Sequence, residues 1–74
     1  MKVNKKKILQ IVSRHTKIPL VKIDNKSSTE NIETWDSLAH IRIILELQDI
    51  TNIKIPTSNF GQFNSIEELI KKFS

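Results

Sequence analysis

Apolar residues Ile8, Ile11 and Val12, with His15 one turn further on, follow the i, i+3, i+4, i+7 spacing of a single helical stripe. They predict a first helix capped by Asn4 and running to about His15. Pro19 opposes its continuation, because proline disfavours helical geometry in the residue before it. From Thr16 to Trp35 the chain is rich in Asn, Ser, Thr and Lys, with Ile18, Leu20, Val21, Ile23 and Ile32 spaced irregularly. A connection of about 20 residues exceeds the roughly 12–15 usual for structureless loops, so the scattered apolar residues should pin it to the core.

A second helix is predicted with Asp36 as N-cap, running to about Asp49 or Ile50. It has too many apolar residues for one narrow stripe. Ile43, Ile44, Leu47 and Ile50 form a face suited to the core. Leu38, Ile41 and Leu45 form a second face at i, i+3, i+7, joined by Arg42. A small domain has difficulty burying both, so the second face is expected to meet a partner. After Ile53-Lys54-Ile55-Pro56, Thr57 to Gly61 should make one helical turn, with Gly61 at a left-handed C-terminal position. Ser65 and Glu68 form a capping box for a last helix, with Ile66, Leu69, Ile70 and Phe73 as its stripe. The alternating Ile53 and Ile55 are too few for a sheet. The expected fold is all-α: a small four-helix bundle of three main helices and one short one, with a long first loop, forming a single domain over residues 1–74.

Composition removes several function classes. The 74 residues include no cysteine, which excludes disulfides, thiol nucleophiles and thiolate metal sites. His15 and His40 are too far apart in sequence to suggest a metal pair. No apolar run approaches the roughly 20 residues of a membrane span, and the N-terminus lacks the pattern of a signal peptide. A cytoplasmic monomer without membrane contact is expected. The net charge of +4 is unevenly spread. Residues 1–35 carry eight Lys/Arg against three Asp/Glu, and residues 36–74 carry four against five. A nucleic-acid contact through Lys2, Lys5, Lys6 and Lys7 is one interpretation. The expected one is a solvated helix face.

Ser37 occupies the most distinctive chemical position. It lies in the first turn of the second helix, behind the long polar loop. Helix starts have backbone amides without intrahelical partners and carry partial positive charge, so a phosphate joined there would be stabilised. From the residues alone, Ser37 is either a covalent attachment point or part of a helix cap. His40, at i+3, raises the alternative of a Ser–His hydrolase. There is no Gly-x-Ser-x-Gly elbow and no clear third group to orient the histidine. His40 is therefore expected at the surface, and autonomous catalysis is not expected. Trp35 is expected to cover the core beneath the loop.

The helix order, together with Asp36-Ser37-Leu38 through Ile53-Lys54-Ile55-Pro56 and the capped Ser65-Ile66-Glu67-Glu68-Leu69, resembles the acyl carrier protein family over nearly the whole chain. The resemblance implies that Ser37 is esterified by 4′-phosphopantetheine, donated from coenzyme A by a phosphopantetheinyl transferase. The arm's thiol would hold an acyl or aminoacyl group as a thioester. Implied partners are that transferase, an acyl- or aminoacyl-activating ligase, and a downstream acyltransferase or synthase of fatty acid, polyketide or nonribosomal peptide biosynthesis. Asp36 matches the family's aspartate before the serine, which helps the transferase engage. Leu38, Ile41 and Leu45 align with partner-contact positions, and Ile43, Ile44 and Leu47 with core positions that could also line an acyl pocket.

One departure concerns charge. The second helix of typical free-standing carriers is strongly acidic, whereas this one has Arg42 where an acidic residue is common. A specialised, stand-alone carrier with dedicated enzymes is expected. The alternatives in other classes are a small basic nucleic-acid-binding domain and an unmodified helical interaction module.

Overall fold

The computed structural model describes residues 2–74 and confirms an all-helical bundle. Helix α1 spans Lys5–Thr16, α2 spans Ser37–Thr51 and α3 spans Ile66–Phe73. Each starts at a predicted cap. Asn4 accepts from the Lys7 amide at 2.8 Å, Asp36 from the Ala39 amide at 2.9 Å, and Ser65 from the Glu68 amide at 3.2 Å. The Glu68 carboxylate turns towards Lys71, 3.7 Å from its Nζ. Helix α1 packs against both α2 and α3.

Ile8, Ile11 and Val12 meet Ile43, Ile44, Leu47, Ile66, Leu69 and Phe73 in one core. Two helix-face expectations need correction. His15 sits only partly buried at the rim of α1, and Thr16 completes the stripe, fully buried with its hydroxyl donating to Val12 O at 2.7 Å. Ile50 is 37% exposed. By helical angle it lies between the buried Ala39 and Ile43, but it sits in the last turn of α2, where Thr51 is the buried residue.

Helices α1 and α2 end alike. A buried threonine bonds back to the carbonyl four residues earlier, and the next residue, Lys17 or Asn52, turns left-handed at φ 62° or 59°. Gly61 was expected in that role, but it has no positive φ. The segment it was expected to end is a 3₁₀ stretch over Thr57–Phe63 that runs through it.

The long loop is pinned by some of its apolar residues, with Ile18 packed against the core, whereas Leu20 and Val21, also expected to pin it, are 36% and 92% exposed. Ile23, Ile32 and Trp35 are buried, and Leu20–Lys22 makes a short 3₁₀ turn that periodicity did not predict. Its polar residues stitch the rest. Asn31 Oδ1 accepts from the Ser28 amide and its side-chain nitrogen donates to Lys26 O. The Thr29 amide donates to Asn64 O, and the Ile66 amide to Ser27 O, at 2.9 and 3.0 Å. The loop is thereby fixed to the start of α3, and Trp35 delivers the chain directly into α2.

Candidate functional site

Ser37 is the first residue of α2 and is exposed. Its hydroxyl has no intramolecular hydrogen-bond partner among the described residues, and neither do the Ser37 and Leu38 amides. Asp36 engages only the Ala39 amide with its side chain, while its carbonyl accepts from the His40 amide at 2.8 Å. The start of α2 therefore combines a free alcohol, two unsatisfied donors and the positive end of a 15-residue helix.

An open cleft beside Ser37 is lined by Thr29, Trp35, His40, Gly61 and Asn64. His40 corrects the sequence expectation, because it is buried. Its Nδ1 accepts from the Trp35 indole N–H at 3.0 Å, and its Nε2 lies 2.7 Å from Phe60 O. An indole nitrogen only donates and a carbonyl only accepts, so the neutral ring must carry its proton on Nε2. Both nitrogens are occupied, and neither is left to deprotonate Ser37. The imidazole is a structural bridge from the loop through α2 to the 3₁₀ segment. Trp35, 1% exposed, covers the core as expected.

On the outer face of α2, Leu38, Ile41 and Leu45 are 57%, 41% and 51% exposed, and Arg42 beside them is also exposed. The sequence separated the two faces correctly, apart from Ile50. A second depression, towards the end of α1, is lined by His15, Lys17, Asp36, Leu38 and Arg42, among others.

Glu46 was not singled out by the sequence. Its carboxylate bridges to α1, paired with Arg14 and with His15 Nε2 at 2.8 Å. Partial burial pushes its pKa up, but the hydrogen bonds and charges of Arg14 and His15 outweigh that, and the net is below the ordinary glutamate value. Separation by about 30 positions hides such a contact until the helices are packed. The exposed Lys5, Lys6 and Lys7 lie on the solvent side of α1. No group of three or more metal-ligating side chains occurs among the described residues, and no helix there is long and apolar enough to cross a membrane.

Against known families, a model described as "Phosphopantetheine attachment site" matches residues 6–73. No curated protein sequence matches the chain.

Proposed function

Since the chain belongs to the phosphopantetheine attachment family, whose members carry covalently attached 4′-phosphopantetheine, we propose that Ser37 is the residue that bears the arm. The observation that carries this reading is the exposed, unpartnered Ser37 hydroxyl at the start of α2, inside the matched region. The residues suit a phosphate-linked group. Two amides lack acceptors there, and the α2 dipole favours an anion.

In attachment, Ser37 Oγ forms the bond to phosphorus. Coenzyme A loses its nucleotide portion as the P–O bond to it breaks, and a base on the transferase takes the hydroxyl proton. The bonding of His40 explains why that base must come from the enzyme. Once bound, the arm supplies a thiol that holds an acyl or aminoacyl group as a thioester. The chain itself contributes a rigid helix start, an accessible anchor and a surface for enzymes. That surface comprises Asp36, Leu38, Ile41, Arg42 and Leu45. The chain acts as a non-catalytic carrier, passing cargo from an activating ligase to an acyltransferase or synthase.

The test is incubation of the protein with coenzyme A and a broad-specificity transferase. Wild type should gain one phosphopantetheine unit and Ser37→Ala none. An unmodified wild type, or a modified Ser37→Ala, would overturn the assignment.

A further inference from the structure

His40 stands between Ser37 and the core. On α2 it lies three and four residues before Ile43 and Ile44 and seven before Leu47, so helical spacing puts all four on one face, with His40 nearest the anchor. The sequence leaves room for Ile43, Ile44 and Leu47 to line an acyl pocket. In the structure all three are fully buried in the packed core. The cleft beside Ser37 ends on Trp35 and His40, which are buried too. The imidazole is tied on both sides. Its Nδ1 accepts from the Trp35 indole N–H at 3.0 Å, and its Nε2 donates to Phe60 O at 2.7 Å, which closes the gap between α2 and the 3₁₀ segment. Phe60 and Phe63 of that segment also pack against the core.

A long alkyl chain on the arm would gain by leaving water, and this cleft opens next to its anchor. Each place it could go resists it. Entry into the core means parting His40 from Trp35 or from Phe60 O, which strands a buried donor or a carbonyl, and then spreading side chains that are already close-packed. Lying in the cleft means covering the Thr29 hydroxyl and the Asn64 carboxamide, neither of which has a partner among the described residues. The Leu38, Ile41 and Leu45 stripe is convex helix surface, which covers a chain on one side only. A short group bearing hydroxyl or amino functions meets none of these costs, because it stays solvated.

We propose that the group carried on Ser37 is a compact, polar acyl group that stays outside the bundle, because the bridge from Trp35 through His40 to Phe60 bars the core to a long alkyl chain. The inference rests on the attachment reading above and deepens it by naming the class of cargo.

The experiment loads the protein with acetyl- and with dodecanoyl-phosphopantetheine, from the matching acyl coenzyme A and a broad-specificity transferase. A chain buried only in the folded state would raise Tm. For wild type the two forms should instead melt within about 2 °C of each other. Hydroxylamine should release each acyl group as fast as from its free coenzyme A thioester. Trp35, the only tryptophan, should emit alike in both forms. His40→Ala lifts the bar, so its dodecanoyl form should melt about 5 °C or more above its acetyl form. Cargo freed by hydroxylamine from protein of the source cells should be a short polar hydroxamate. A dodecanoyl wild type that melts about 5 °C or more above the acetyl form, or that resists hydroxylamine, would overturn the inference and leave attachment at Ser37 standing. So would a long-chain alkyl hydroxamate from native material. A folded His40→Ala without the rise would overturn the bridge as the bar; if that variant does not fold, the wild-type comparison decides. No loading of wild type with either group would overturn the attachment reading as well.

Discussion

Replacing His40 by alanine removes a bridge on which three parts of the chain converge. The Trp35 indole N–H, buried with a residue 1% exposed, loses its only acceptor. An unsatisfied buried donor costs about 1–3 kcal/mol. Phe60 O, partly buried, loses its donor as well, at roughly 0.5–1.5 kcal/mol. With the space vacated by the ring, the sum is about 2–4 kcal/mol. A domain of 74 residues has a total stability of about 4–11 kcal/mol, so the substitution removes a large share of it. At about 4–8 °C per kcal/mol, Tm should fall by about 8–32 °C. Trp35 is the only tryptophan, so urea unfolding followed by its fluorescence reads the change at the site itself. A double-mutant cycle with Trp35→Phe, followed by circular dichroism, should give a coupling of about 1–2 kcal/mol. A loss below about 1 kcal/mol for His40→Ala, with no coupling to Trp35, would refute the bridge and return His40 to the surface.

Other expectations follow from the same packing. Leu47→Ala, in the fully buried face of α2, should cost about 2–5 kcal/mol, whereas Leu45→Ala, half exposed two residues earlier, should cost under about 0.5 kcal/mol; denaturant midpoints decide. Asp36→Ala should cost about 1 kcal/mol through loss of the Ala39 amide bond, read as a lower Tm. Glu46 has a pKa held below its ordinary value, so its charge stabilises the fold above about pH 4.5, and that contribution is lost as pH falls through the lowered value. Glu46→Gln should therefore lower stability at neutral pH by up to about 1 kcal/mol and flatten the loss of stability below pH 4.5, measured by melting across pH.

The elements were legible because their signals are local. Asn4, Asp36 and Ser65 each precede a periodic apolar run, and each caps the helix expected of it. The two faces of α2 could be separated because helical spacing alone divides Leu38, Ile41 and Leu45 from Ile43, Ile44 and Leu47. Ile50 shares the angle of the core face but stands at the last turn of α2, and periodicity does not register where along the helix the packing stops. Where the chemistry is tertiary, sequence was silent. His40 has polar character but points inward, because Trp35 and Phe60, 5 residues before and 20 after, supply the two partners that permit burial. The left-handed positions went to Lys17 and Asn52, where the helices end; asparagine suits that conformation, whereas lysine gives no sign of it in the sequence. Ser37 itself was visible at once, as an alcohol in the first turn after an N-cap aspartate. Its freedom from hydrogen bonds needed the structure.

The most direct trial is fragmentation of peptides from protein recovered from its own cells. A peptide containing Ser37 should carry the phosphopantetheine mass and release the arm on activation, with any thioester cargo still attached. An arm mapped to another residue, or none anywhere in the chain, would contradict the account.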